Sequence, residues 1–292
     1  MSGSPPTVRG RSLWHDARRR LAANRAAMVS LIILGAVALF ALLGPLVNPN
    51  PYWDLDLEHI AIGPSLAGAH WFGTDSVGRD LFVRVAVGAR VSLLVGVLAT
   101  SVSLVIGVTY GAVAGYVGGR LDAVMMRFVD VLYSLPFLFF VILLMVVFGR
   151  NIFLIFVAIG AVEWLTMARI VRGQTLSIRE REFIEAARAG GQSGGRIILR
   201  HIVPNVVGAV IVYATLTIPQ IIMAESFLSF LGLGVQEPLT SWGVLVADGA
   251  AEMETSPWML AFPAAFLALT LLCFNFFGDG LRDALDAAQR EG

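Results

Sequence analysis

Apolar positions in this chain come in blocks far longer than the buried stripe of a soluble helix, and charged positions fall between the blocks. Residues 26–47 run without a charge, long enough for one bilayer crossing at about 1.5 Å per residue. Five further blocks follow, at 91–116, 128–148, 152–168, 203–223 and 257–277. The pattern predicts an all-α integral membrane protein of six transmembrane helices, with both termini on one side. The first block is longer than a signal-peptide core and no small-residue cleavage site follows it, so it is expected to stay attached.

Arginine placement sets the orientation. With the N-terminus inside, Arg9, Arg11, Arg18, Arg19, Arg20, Arg25, Arg120, Arg127, seven arginines between 169 and 204, Arg282 and Arg290 are cytoplasmic, and only Arg79, Arg84, Arg90 and Arg150 are external. That imbalance predicts an N-in, C-in topology. The chain then divides into a cytoplasmic tail and interfacial helix (1–25), a first span (26–47) with an external loop (48–90), and a five-helix core (91–292). The core carries a cytoplasmic loop (169–204) and an external, re-entrant segment (224–256). Residues 1–10 are small, polar and proline-bearing and are read as loosely attached. From Arg11 to Arg25, Leu13, Trp14, Ala17 and Leu21 share one helical face opposite several arginines, which suits a helix lying on the membrane surface.

The charged island 169–204 is the most punctuated stretch. Ser177 and Glu180 form a capping-box pattern that predicts a helix starting near Ile178, and Gly190-Gly191 should stop it. Ser193 is placed to cap a second short helix through Arg196, Ile197 and Ile198, and Pro204 cannot continue an ordinary helix without losing a backbone hydrogen bond. Ala186 and Ala187 keep one helix face thin, which suits docking against another surface. The plainer reading is a cytoplasmic hairpin in which Arg181, Glu185 and Arg188 pair at helical spacing, for about 0.3 kcal/mol each.

Other stretches add candidates. Ser103, Gly107, Gly111, Gly115 and Gly119 repeat every fourth residue, a stripe that lets another helix approach closely; the sequence leaves open whether that helix belongs to this chain. In the first loop, Thr74 or Asp75 is a candidate cap for a short helix leading into the second span. His70 lies near Asp75 and Asp80, and a structural role is read there, since a catalytic zinc site usually needs three protein ligands in register. Asp130 and Glu163 sit in spans near the cytoplasmic interface, where Arg127 or Arg169 is placed to pair with them. Residues 228–238 are too broken by glycine for a span and too apolar for a free loop. The segment around them holds Glu225, Glu237, Asp248, Glu252 and Glu254 with no basic residue, which would suit either a peptide's amino terminus or a general acidic outer bias.

Composition narrows the classes. At 57% hydrophobic and 14% charged residues, the chain is too apolar for a typical soluble domain. Every basic residue is arginine, so a phosphate-binding loop ending in Gly-Lys is impossible and any ATP chemistry would have to come from a partner. The single Cys273 excludes an intrachain disulfide. Net charge is zero, and no nucleic-acid partner is expected. Gly191-Gln192-Ser193-Gly194-Gly195 fits the hydrolase pattern GxSxG, but it follows a helix where a nucleophile elbow needs a strand. An ion-coupled secondary transporter is the rival class; it would be expected to place charges near the bilayer midplane and often to show inverted repeats, neither of which is found here.

Glu185, Ala186, Ala187 and Gly191, at the spacing EAAxxxG and with Pro204 further on, resemble the coupling loop of bacterial ABC importer permeases; His201 and Val203 depart from the longer pattern's Ile and Leu. With RSLWHDARRR, FGTDSVGRDLFVRVAVGAR, EFIEAARAGG, RHIVPN, ESFLSFLGLGVQEP and CFNFFGDGLRDALD, the chain is similar to the C-type permease subunits of oligopeptide importers over nearly its whole length. Each motif also occurs in looser form in dipeptide and nickel relatives. The resemblance implies a type I, MetI-like permease fold in the bacterial inner membrane, with no catalytic residue and no cofactor. Implied partners are a B-type permease, two cytoplasmic ATPases, an external oligopeptide-binding protein and the lipid bilayer. Glu185, Ala186, Ala187, Gly190, Gly191, Ser193, Arg196 and Pro204 would then contact an ATPase. A nickel or glutathione substrate remains the alternative within the family, and the residues of the path are not assigned.

Overall fold

The computed structural model of this chain describes residues 13–66, 68, 70–148 and 152–290. The readings made for residues 1–10, Arg9, Arg11, Arg150 and the side chains of Leu13 and Trp14 lie outside it. Every regular element among the described residues is a helix, apart from an isolated β-bridge between Thr74 and Asp80 in the loop at 48–80, and four helical stretches are long and apolar enough to cross a membrane: Arg25–Val47, Leu81–Val117, Gly194–Phe230 and Trp258–Asp286. Many of their large apolar side chains are exposed, among them Ile32, Leu42, Val97 and Val105. Such a surface suits hydrocarbon, where only structures that satisfy their own backbone survive.

Helix α1 (Leu13–Ala23) ends at Asn24, whose side chain accepts the Ala27 N–H (3.2 Å) and starts α2 (Arg25–Val47). Ala17 of α1 is buried with Val212 and Leu285, so the face read as interfacial rests on the bundle's own helices. Pro45 inside α2 has no N–H to offer the carbonyl of Ala41. Arg90 of the next helix fills that gap, donating from Nε (3.2 Å) and Nη2 (3.0 Å) to the Ala41 oxygen.

The second span is longer than its apolar block. Helix α3 (Leu81–Val117) takes in the predicted short helix before it, and its cap is Asp80, not Thr74 or Asp75. Asp80 Oδ1 accepts the Val83 N–H at 2.9 Å. Thr74 and Asp75 are buried in the loop instead: Thr74 Oγ1 donates to the His59 carbonyl (2.5 Å), and Asp75 holds Arg79 (2.7 Å) and Arg84. Phe72 stacks on Phe262, centroids 4.0 Å apart, which seals this loop onto the last helix.

Gly118 and Gly119, both at positive φ, turn the chain into α4 (Gly119–Tyr133). The third block is not one span. Ser134, Leu135 and Pro136 break it before α5 (Phe137–Phe148), because proline removes a donor and disfavours a helical residue before it. Helix α6 (Ile152–Ile178) runs ten residues past its apolar block and absorbs Ser177. The capping-box reading at Ser177 is therefore corrected. What carries the helix onward is packing: Val171 and Thr175 lie against Gly111 and Gly115 of α3.

A Cβ on Gly107 would stand 2.6 Å from Met167 Cβ, and one on Gly115 2.7 Å from Thr175 Cβ. On Gly111 it would meet the Ala168 carbonyl. The stripe, with Ser103 buried in it, thus faces α6 of the same chain. Beside this contact α6 is also tied to α4: Arg172 donates to both carboxylate oxygens of Asp122 (2.5 and 2.6 Å), and Arg169 donates to Asp130 (2.8 Å). Glu163 makes no ion pair among the described residues; it lines a cavity of about 430 Å³ with Tyr133, Ser134 and Gln220 at the helix break.

After α7 (Glu182–Ala189) and α8 (Gly194–Ile197), the π turn Ile198–Ile202 leads into α9 (Val203–Phe230). Pro204 stands in the first turn of α9 and does not end the helix. The π turn explains this: Val203 bonds back five residues to Ile198, and the ladder is already shifted where Pro204 offers no N–H.

Segment 224–256 departs most from its sequence reading. Helix α9 continues to Phe230, and only a short loop precedes α10 (Trp242–Ala251), which packs against α3, α9 and α11 (Trp258–Arg290). Trp242 is fully buried, with its indole N–H donating to the Val85 carbonyl (3.2 Å). The acidic surplus is largely answered internally. Glu225 is fully buried and accepts from Ser229 (2.6 Å) and Ser92 (3.3 Å); Glu237 takes Arg79 (2.7 Å); Asp248 faces Arg84 (3.6 Å). The hydrogen bond from Arg79 and its charge hold the Glu237 carboxyl below the ordinary glutamate range.

Candidate functional site: the charged elbow

Helix α7 is short, and its charges suit its dipole: Glu182 and Glu185 stand in the first turn and Arg188 in the last. Its N-cap position is Arg181, which makes no side-chain cap bond. One face is fixed inward. Ile184 and Ala187 are buried with Ala112, Met167, Val171, Ile197 and Ile202, so the helix is nailed to α3, α6 and the start of α9.

The helix ends in a Schellman motif. Gln192 N–H donates to the Ala187 carbonyl (3.1 Å) and Gly191 N–H to the Arg188 carbonyl (3.0 Å), with Gly191 at φ +74°. A Cβ on Gly191 would touch nothing within 4 Å. Glycine is needed there for its backbone angle and not for space. Gly190 is the C-cap, and Ser193 holds the N-cap position of α8 without a side-chain cap bond. Gln192 Oε1 lies 3.1 Å from His201 Nε2, closing the elbow onto the π turn.

Of the residues singled out in the sequence, Glu185, Ala186, Gly190, Gly191, Ser193, Arg196 and Pro204 are exposed and Ala187 is buried. The outer face thus presents a thin Ala186 beside a carboxylate. Glu185 makes no ion pair with Arg181 or Arg188 among the described residues, so the expected intrahelical pairing is not formed. Arg188 instead lies over the Tyr116 ring (5.0 Å), and Arg179 donates to the Gly115 carbonyl (3.2 Å). Both arginines clamp the elbow to the C-terminal end of α3. These clamps were missed in the sequence, where only Gly115, Gly118 and Gly119 followed by Arg120 hinted at a helix end.

GxSxG at 191–195 has no nucleophile geometry. Ser193 sits between two helices on the exposed elbow, with no strand before it.

A family model described as the binding-protein-dependent transport system inner membrane component matches residues 107–291, a stretch that includes the elbow and all helices from the glycine stripe onward. The chain belongs to this family. A second model, the N-terminal TM domain of oligopeptide transport permease C, matches residues 12–64. The oligopeptide transport system permease protein OppC of Escherichia coli (strain K12) is 61% identical over 97% of this chain and 94% of its own length. The dipeptide transport system permease protein DppC of Bacillus subtilis (strain 168) is 49% identical over 96% of this chain and 87% of its own. Among solved structures, a chain of the MetNI methionine ABC transporter in inward-facing conformations superposes with a TM-score of 0.57 at 18% identity, over 71% of this chain and 96% of that one. The MetI-like fold expected from the resemblance has a structural neighbour there, and inner-membrane components of this family set the location of the chain.

Proposed function

We propose that this chain is the peptide-conducting permease subunit of an ATP-driven importer, in which the elbow at 182–204 couples the partner ATPases to the bundle. The observation that carries the reading is the elbow's two-sidedness. Ile184 and Ala187 are buried against α3 and α6, while Glu185 and Ala186 are exposed and unengaged. A push on the outer face is therefore passed to α6 and α9, which leave the elbow directly. Those two helices also wall the cavity with Glu163 and Gln220, which we assign to the peptide path.

In this reading the bundle crosses the membrane six times, N-in and C-in. A B-type permease supplies the other half of the path, an external binding protein delivers peptide, and two cytoplasmic ATPases hydrolyse ATP; this chain performs no chemistry itself. The high identity to oligopeptide and dipeptide permeases supports peptide over nickel or glutathione.

Two substitutions test the coupling. Gly191→Val puts a β-branched residue at φ +74°, at about 1–2 kcal/mol or more of local strain, and should weaken ATPase attachment. Glu185→Arg reverses the exposed charge without touching the buried face. Both should leave membrane insertion and peptide capture normal, and both should lower peptide uptake and peptide-stimulated ATP hydrolysis together. Wild-type uptake in both variants at equal protein level would show that the elbow transmits nothing.

A further inference from the structure

The loop between α2 and α3 brings together three side chains that the elbow and the bundle do not use. The carboxylate of Asp56 and one ring nitrogen each of His59 and His70 lie within 4.8 Å of one another. The two imidazoles are 5.6 Å apart between centroids and tilted by 45°.

Local hydrogen bonds hold the three side chains in place, and His70 alone is backed by a carboxylate outside the set. Asp56 and His59 belong to one tight turn: the His59 N–H donates to the Asp56 carbonyl (3.1 Å), the Glu58 N–H donates to Asp56 Oδ1 (3.1 Å), and His59 Nδ1 stands 2.7 Å from Asp56 Oδ2. His70 is fixed through its backbone, whose carbonyl accepts from Gly73 (3.0 Å) and Ser65 (3.3 Å). Its ring is fixed by Asp80, with Nδ1 2.8 Å from Oδ2. The Asp80 side chain is fully buried at the cap of α3. An ionised carboxylate only accepts, so the proton resides on Nδ1 and the Nε2 lone pair of His70 is left free. A carboxylate behind a histidine in this way is the arrangement that orients and strengthens metal-ligating imidazoles.

We propose that Asp56, His59 and His70 form a binding site for a divalent transition-metal ion of the zinc type, with Asp80 as the orienting carboxylate and a fourth position open to water. The donor set decides the class. Two imidazoles and one carboxylate suit Zn²⁺ and its borderline neighbours, whereas Ca²⁺ and Mg²⁺ favour oxygen ligands and more of them. Bound metal ties the 56–59 turn to the residues just before α3, so it acts as a structural clip on this loop. The pairing of His70 with Asp80 read as structural stands; the ligands added to it are Asp56 and His59, and Asp75 is turned away to Arg79 and Arg84.

The test uses the full-length chain, purified with the subunits that accompany it on an affinity tag lacking histidine, and stripped with chelator. Zn²⁺ uptake is read by competition against a chromophoric chelator and by elemental analysis, and Co²⁺ uptake by its visible ligand-field bands. One equivalent of Zn²⁺ is expected, with affinity falling at least ~10-fold in His59→Gln and in His70→Gln. The double variant His15→Ala/His201→Ala removes the other two histidines of the chain and should bind as the wild type does. Equal zinc uptake by wild type and a His59→Gln/His70→Gln variant that still assembles would overturn the site. Displacement of Zn²⁺ by an equal concentration of Ca²⁺ would overturn the ligand class.

Discussion

Pro45 and Arg90 show how one residue's backbone defect fixes another residue's side chain. The Ala41 carbonyl lacks its helical donor, and in a membrane no water replaces it; the Arg90 guanidinium reaches across from α3 and does. Arg90→Met should therefore destabilise the protein by about 1.5–3 kcal/mol, the range for a hydrogen bond to a charged group. In a Pro45→Ala background, alanine returns the missing N–H to Ala41, and the cost of Arg90→Met should shrink. Thermal unfolding of the four members of this cycle in detergent reads the coupling; equal costs in both backgrounds would mean that Arg90 does something else. None of this was legible from hydropathy, which assigned Arg90 only to an external tally. The Gly191 turn was legible, because a left-handed residue at a helix end is a local requirement that a local motif announces.

Helix ends were harder to read than helix cores. Apolar block lengths placed the centres of α2, α3, α6, α9 and α11, since burial in lipid demands long uncharged runs. Their ends are set by contacts that no local window contains. Ser177 carries a capping signature, yet α6 passes through it because Val171 and Thr175 are packed on the α3 stripe. Glu225 reads as an external acid, yet serines from α3, α9 and the loop before α10 enclose it. Gly111 tests the stripe itself. A leucine there would collide with the Ala168 carbonyl and Val171, and helices held by van der Waals contact of small residues have no other route to each other. Gly111→Leu should lower recovery of folded protein sharply by fluorescence-detected size exclusion, while Gly173→Leu on α6, where a Cβ meets nothing within 4 Å, should not. Equal recovery of the two variants would show that the α3–α6 contact is not what holds the bundle.

At the scale of the whole molecule, the two ends of the bundle differ in kind. One end gathers the loop before α3, the loop before α10 and the start of α11, tied by Arg79 to Glu237, Arg84 to Asp248 and the Trp258 indole N–H to the Thr74 carbonyl (3.2 Å). The other gathers α1, the elbow and the end of α11, where Ala17 packs on Val212 and Leu285. Three of the arginines assigned outside are engaged at or near the first end, so they are consumed by contacts within the chain. The exposed arginines of α1 and the elbow remain at the second, where cytoplasmic loops retain positive charge. The elbow end should accordingly be cytoplasmic. Cys273 is buried, so single introduced thiols can be read against a quiet background. Glu254→Cys, on the exposed stretch before α11, should react with a membrane-impermeant maleimide added to intact spheroplasts, and Gln192→Cys at the elbow should react only after the membrane is opened. Labelling of Gln192→Cys in intact spheroplasts would invert the bundle, and it would remove the elbow from any contact with cytoplasmic ATPases.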